Sequence, residues 1–265
     1  MLNDDRKYYV TASQAHRVMA GFETELAGRE MVEPNCDDVL NYIDVEGVKP
    51  KVGDLKNVGI IATGKEIDSA WKYVQSQNVV FSDGMESVAR EIAMTSFIRQ
   101  RDEGFKSKDM ERGNNQEGEA IEALSAKTGV EFTATEENQQ FLTLGNLGVT
   151  PDGVELDGFE YKSCAEVKNP KDTTHMKYLS EIRDTESFLS VVPEYYWQAQ
   201  TGLHVTGADV YHWASFHNGY DEKYQLVYLP IKPNKKHIEM LVERSDRVLA
   251  RVPEIVESIK ANYGS

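Results

Sequence analysis

Asp152, Glu166 and Lys168 are the residues whose types and spacing point to chemistry. Asp152 stands in Pro-Asp-Gly at the end of an apolar run, and Glu166-Val167-Lys168 lies in a second run that ends at Pro170. Residues two apart on a strand project to the same face. Glu166 and Lys168 therefore point together, and Val167 points the other way into a core. Two carboxylates and one ammonium on adjacent strands are what a Mg²⁺-dependent phosphodiester hydrolase needs. Each piece also has a plain structural reading. Pro-Asp-Gly is a common turn sequence, and Glu-x-Lys reads as an ion pair on an exposed strand face. Their combination at this separation raises both above those readings.

The elements that must position these residues are legible in part. Strand patterns cover 130–133, 140–144, 147–150 and 161–168, and Asp157-Gly158 is a hairpin signal. Asp152 and Glu166 are thus expected on adjacent antiparallel strands. Upstream, 114–128 reads as a helix closed by Gly129, with Ala120, Ile121 and Leu124 on its buried stripe. Glu117 lies on that same stripe, where a carboxylate needs a partner. Asn114 and Glu117 match a capping box, which makes Glu117 structural; alternatively Glu117 reaches the metal site from the helix flank. An earlier helix, 83–101, carries Met85, Val88, Ala89, Ile92, Phe97 and Ile98 at helical spacing. Gly104 ends it, and Lys106, Lys108 and Arg112 follow as a solvated basic loop. Downstream, 193–206 reads as a helix begun by Pro193 and stopped by Gly207. Tyr196, Gln200 and Leu203 share one face of it, Gln198 lies on another flank, and the aromatic cluster reads as core. Strands at 208–216 and 224–229 flank a turn at Asn218-Gly219. A long amphipathic helix, 234–262, is expected to be kinked or split at Pro253.

At the N-terminal end, Thr11 or Ser13 caps a short helix bearing Ala15, Val18 and Met19. A sharper reading has Arg6 and Ser13 holding a phosphate, since helix N-termini favour anions. Residues 21–80 are read as an insertion or subdomain of small helices with one strand pair, and no motif in them carries chemistry.

Composition sets limits. The chain has 265 residues, 40% apolar and 28% charged, as expected of one large α/β domain or one domain with an insertion. No apolar run approaches membrane-spanning length, and residues 1–10 lack the apolar core of a signal peptide. The two cysteines and six histidines form no metal-ligand spacing and no disulfide framework, which points to a reducing, cytoplasmic setting. A net charge of −15 argues against a surface plastered on DNA along its whole extent. A local basic groove remains compatible with it.

The order of these motifs resembles the PD-(D/E)XK nuclease superfamily, and more narrowly the lambda exonuclease family of YqaJ-type viral recombinases. Four stretches carry the resemblance: VTASQAHRVMA with Arg6 ahead of it; RGNNQEGEA; GVTPDG followed by AEVKNP; and EYYWQAQTGLHVTGADVYHWASF. It covers roughly residues 5–20 and 85–230. The resemblance implies a restriction-endonuclease-like α/β fold, a central mixed sheet flanked by helices with an insertion near the N-terminus. It implies Asp152, Glu166 and Glu117 as metal ligands with the Val167 carbonyl, for Mg²⁺ or alternatively Mn²⁺. Lys168 orients and activates the attacking water. Gln198, and second Gln200, lie beside the active site or contact substrate. Arg6 and Ser13 bind a terminal 5′-phosphate. It also implies 5′→3′ digestion of one strand of linear duplex DNA in phage-type recombination. A trimeric ring, a single-strand annealing protein as partner and a bacterial host's cytoplasm go with it.

Two other classes stay open. One is another nuclease of the superfamily, RecB-like or an endonuclease; members holding an iron–sulfur cluster need four cysteines. The other is a non-enzymatic DNA-binding assembly protein, against which the intact Asp152, Glu166 and Lys168 argue.

Overall fold

A computed structural model describes residues 4–20, 33–76, 81–98 and 108–263. Its frame is two sheets. A small one forms from β1 (Val10–Thr11), β2 (Leu142–Leu144) and β3 (Leu147–Val149), with β3 in the middle, parallel to β1 and antiparallel to β2. The larger runs β4 (Gly153–Asp157), β5 (Glu160–Lys168), β6 (Val210–Phe216), β7 (Leu226–Ile231). It is mixed: β5 and β6 are parallel, and the outer pairs antiparallel. The expected 130–133 strand reduces to a bridge between Thr133 and Val154. The second expected late strand starts at Leu226, after a 3₁₀ turn at Glu222–Tyr224.

Parallel pairing of β5 with β6 needs a crossover, supplied by α7 (Asp172–Glu181), α8 (Thr185–Val191) and α9 (Pro193–Thr206). Pro193 opens α9, and Gly207 closes it at a φ of 71°, a left-handed conformation that suits glycine. One sheet face packs Cys164, Tyr211 and Trp213 against Trp197, Phe188 and Leu203 of the crossover helices. The other packs Ala165, Val167, Ala214 and Phe216 against Ala120, Ile121 and Leu124 of α6 (Lys108–Thr128). Alternation along β5 thus sends Val167 into the α6 core and Glu166 and Lys168 to the α9 side.

The N-terminal segment reaches this frame through β1. A 3₁₀ turn (Ala12–Gln14) and α1 (Ala15–Val18) follow it. The Thr11 N–H donates to Gln14 Oε1 at 2.9 Å, and the Thr11 and Ser13 hydroxyls lie 3.1 Å apart. Thr11 precedes the 3₁₀ turn without a side-chain cap bond and Gln14 precedes α1, so neither Thr11 nor Ser13 caps that helix, and α1 is too short for a substantial helix dipole. Behind it, α5 (Asp83–Met94), capped by Ser82, lies against α10 (Lys235–Tyr263). Met85, Val88, Ala89 and Ile92 are buried as expected. Phe97 and Ile98 are not: α5 ends before them and they are exposed. Residues 99–107, including Gly104 and Lys106, lie outside the described residues. Helix α10 runs unbroken through Pro253.

The described part of the expected insertion is helical: α2 (Asp37–Glu46), α3 (Val52–Asn57) and α4 (Gly64–Ser76). Val39, Ile43, Leu55, Ile67, Ala70 and Trp71 form a core of their own. The strand pair expected there is absent from the described residues.

Candidate active site

Pro151 ends the β3 segment, and Asp152 begins the return along β5 by donating its N–H to the Ala165 carbonyl at 2.9 Å. This registers Asp152 beside Glu166, and Asp152 Oδ2 accepts the Val167 N–H at 2.8 Å. Glu166 is 3% exposed. A buried carboxylate must be met by donors or a cation. Lys168 Nζ and Gln198 Nε2 (2.6 Å) both donate to its Oε1, and the Tyr211 hydroxyl donates to Oε2 at 3.0 Å. Gln198 comes from α9 and Tyr211 from β6, so the crossover assembles this shell. Lys168 Nζ also lies 5.2 Å from the centroid of the Tyr195 ring.

Glu117 approaches from α6, on the other side of the sheet. A single nitrogen joins it to Asp152: Gln139 Nε2 donates to Glu117 Oε1 at 2.6 Å and to Asp152 Oδ1 at 3.4 Å. The capping-box reading of Glu117 falls, because α6 begins at Lys108 and Asn114 lies well inside it.

The electrostatics follow from burial beside like charge. Burial first, then the Glu166 charge, pushes the Asp152 carboxyl well above the ordinary carboxylate range, against the pull of Lys168 and the Val167 N–H. Burial opposes the charge on Lys168, but Glu166 and Asp152 outweigh it and hold the ammonium protonated. Burial and Glu166 push the Tyr211 phenol far up, so it stays a donor.

This donor set suits a hard cation. Its acids are carboxylates only, and a divalent ion would relieve the repulsion that raises Asp152. As they stand, no three acidic, histidine or cysteine side chains among the described residues are gathered closely enough to hold a metal. Gln139, Gln198 and Lys168 occupy the carboxylate oxygens instead. Val167 meets the cluster through its N–H.

A cavity of about 410 Å³ adjoins the cluster. Arg6, Lys7, Ser13, Arg17, Thr150 and Gln198 are among its lining residues, and the same Gln198 side chain bonds Glu166. Arg6 Nη2 donates to Thr150 Oγ1 at 2.8 Å, and its guanidinium carbon lies 5.2 Å from the Phe141 ring centroid.

With this geometry in view, the profile of the YqaJ-like viral recombinase domain matches residues 70–209, more than half of the chain. The chain belongs to that family. It is similar in fold to an alkaline exonuclease, LHK-Exo, from Laribacter hongkongensis: 17% identity, TM-score 0.58, over 97% of this chain and 94% of that one. The complex of LHK-Exo with dAMP superposes with the same score and coverage at 18% identity. A phage-related exonuclease from Haemophilus somnus 129PT follows at 15% identity and TM-score 0.52, over 84% of this chain and 94% of that one. No curated protein matches the chain at a significant level. The architecture is mixed α/β, with mixed sheets flanked by helices, as expected.

The fold brings together Asp152, Glu166, Lys168, Glu117 and Gln198, with Arg6 and Ser13 in the adjoining cavity. It does not bring Gln200 there. Gln200 is buried, its Nε2 donating to the Lys232 carbonyl at 3.0 Å and its Oε1 accepting the Asn234 N–H at 2.8 Å. Two positions along α9 rotate a side chain by more than half a turn, so Gln200 anchors the loop after β7 and is absent from the cavity lining. Three residues at the site were not anticipated. Gln139 sits in a polar run without periodicity. Tyr211 and Tyr195 lie in apolar, aromatic stretches that read as core, and nothing local marks their polar ends.

Proposed function

We propose that this recombinase-family protein is a Mg²⁺-dependent exodeoxyribonuclease that digests one strand of linear duplex DNA from its 5′ end, in phage-type homologous recombination. One observation carries the reading: Gln198 borders the basic cavity and also bonds Glu166, so a group bound by Arg6 and Ser13 lies next to the carboxylates. The exonucleases of similar fold, one of them complexed with dAMP, are consistent with it.

Asp152, Glu166 and Glu117, with the Val167 carbonyl, would hold the cation. When bound, it supplies activation of a water and neutralises charge on the phosphoryl oxygens. Lys168, kept protonated by Glu166 and Asp152, orients the attacking water and offsets negative charge at the phosphorus. Gln198 holds the Glu166 carboxylate toward the cavity side. Tyr211 donates from beneath and fixes the second oxygen. The water oxygen bonds to phosphorus as the bond to the 3′ oxygen breaks, leaving a 5′-phosphate and a 3′-hydroxyl. Arg6 and Ser13 hold the terminal phosphate and so set the end that is attacked.

A trimeric ring with basic groups turned inward would reconcile DNA binding with the net charge, and a single-strand annealing protein is the partner we propose. Among the described residues no helix is long and apolar enough to cross a membrane. The test is digestion of linear duplex DNA bearing 5′-phosphate or 5′-hydroxyl ends, labelled at either terminus, with Mg²⁺ or EDTA. Release of the 5′ label, faster from phosphate ends and abolished by EDTA, supports the reading. Cutting of a covalently closed circle would replace it with an endonuclease, and binding without cleavage in Mg²⁺ or Mn²⁺ with an assembly protein.

A further inference from the structure

The cavity beside the carboxylates holds a charge pair that the reaction above does not use. Arg17 and Glu91 both line it. Arg17 Nη2 meets Glu91 Oε2 at 2.5 Å, and Nη1 lies 3.5 Å from Ser87 Oγ. The pair is half-exposed, with side chains 34% and 41% accessible, so it faces the cavity and is not sealed in the core.

Its place is enforced by packing. Arg17 belongs to α1, and Glu91 and Ser87 to α5. The two helices approach so closely at Gly84 that an added Cβ there would stand 2.0 Å from the Arg17 carbonyl oxygen. That approach fixes the backbone of Arg17 against α5 and leaves its side chain to run along the cavity wall. Among the lining residues, Arg6, Lys7 and Arg17 carry positive charge and Glu91 alone negative. In a protein with a net charge of −15, this pocket is of opposite sign, with a single carboxylate set directly on one of its cations.

We propose that Arg17 is a second cation for the terminal phosphate monoester in this cavity, and that Glu91 tempers its hold so that the end can be released. The proposal rests on the reading of the cavity as the site of a DNA 5′-phosphate. A guanidinium offers a planar fork suited to phosphate oxygens. Glu91 occupies one arm of it, and a dianionic monoester competes for that arm. The carboxylate opposes any anion in the cavity, and a dianion about twice as strongly as a monoanion. Arg17 acts with the opposite sign.

The test measures binding of a short duplex with 5′-phosphate or 5′-hydroxyl ends by fluorescence anisotropy in EDTA, where no cleavage occurs. The unmodified protein, Arg17→Gln and Glu91→Gln are compared. The readout is the ratio of the two affinities, which a general loss of packing would not move. Arg17→Gln is expected to cut the preference for phosphate ends roughly tenfold, the scale of one charge-assisted hydrogen bond. Glu91→Gln keeps a hydrogen-bonding partner for Arg17 and is expected to raise the preference. If Arg17→Gln does not fold, as judged by its melting temperature, Glu91→Gln alone decides, since it leaves Arg17 in place. A preference for phosphate ends that both variants leave unchanged overturns this proposal and spares the reading of the cavity. No preference in the unmodified protein overturns both.

Discussion

Glu166 holds the tightest balance of forces at the level of single residues. Its carboxylate is nearly inaccessible, and Lys168, Gln198 and Tyr211 all donate to it. Removing one donor from a buried anion costs about 1–3 kcal/mol. Tyr211→Phe is therefore expected to lower the unfolding free energy by that amount in urea titration; an unchanged midpoint would show that water reaches Glu166 instead. Lys168 keeps 26% of its side chain exposed, so water can replace its bond to Glu166 in part, and its loss falls on chemistry as well as on folding. Lys168→Ala is expected to reduce cleavage of labelled duplex by ~10²–10³-fold while far-UV circular dichroism stays as in the parent. Normal digestion by the folded variant would remove Lys168 from the mechanism. The sequence made Asp152, Glu166 and Lys168 visible because strand alternation and turn chemistry are local. Tyr211 stayed hidden because its partner Glu166 lies 45 residues away, and Gln139 because its polar run has no periodicity to aim it.

Between elements, the contact of α1 with α5 sets the cavity. Glycine inside an exposed helix is less favourable than alanine by about 1 kcal/mol, so propensity alone favours Gly84→Ala. A Cβ 2.0 Å from the Arg17 carbonyl oxygen reverses that sign. Overpacking at such a contact costs typically ~1–3 kcal/mol. Gly84→Ala is expected to lower the melting temperature and, by pushing α1 outward, to weaken binding of phosphate-ended duplex. A higher melting temperature would mean that the helices part freely. Sequence patterns placed the existence of α5, α6, α9 and α10 correctly and misjudged their ends. Helix α6 begins before 114 and helix α5 stops before Phe97, because tertiary packing, more than propensity, decides where a helix frays.

For the molecule as a whole, two consequences follow from where polar and apolar groups are buried. His175, His204, His212 and His237 all have protonation held below the ordinary 6.5 by burial first of all. In His175 the Nε2–H donates to the Tyr224 carbonyl and Nδ1 accepts from Ser215, each at 2.8 Å, so a second proton would force the Ser215 hydroxyl to turn and accept. Below about pH 6.5 the unfolded chain takes up protons that the folded chain resists. The stability contributed by these histidines is complete above that pH and declines as pH falls. The raised Asp152 carboxyl acts with the opposite sign, so the comparison is made in Asp152→Asn: its denaturant midpoint should be lower at pH 5.5 than at 7.5, and an equal or higher value would contradict these histidine environments. The second consequence concerns the helices at 37–76, whose core is separate from that of the sheets. Ile43→Ala in that core is expected to cost about 2–5 kcal/mol and to speed amide exchange in α2–α4 while β5 and β6 stay protected. Equal acceleration in β5 and β6 would show the two cores to be one cooperative unit.

The sequence by itself marked the candidate residues for chemistry and fixed their order along the chain. It set Asp152 beside the Glu166 strand through turn and strand signals acting over fewer than twenty residues, and its motif order pointed to the family. It did not determine which of two glutamines on one helix turns to Glu166, whether Glu117 caps a helix or meets Asp152, or that Arg6, Arg17 and Gln198 border one cavity. Those depend on the parallel pairing of β1 with β3, on the crossover that lays α9 over β5, and on the close approach of α1 to α5. Each joins segments far apart in sequence, and no local periodicity carries information about such a distance. The tertiary structure decided them because burying both faces of β5 leaves one arrangement of α6 and α9, and that arrangement turns Gln198 inward to Glu166 and sends Gln200 to the loop after β7.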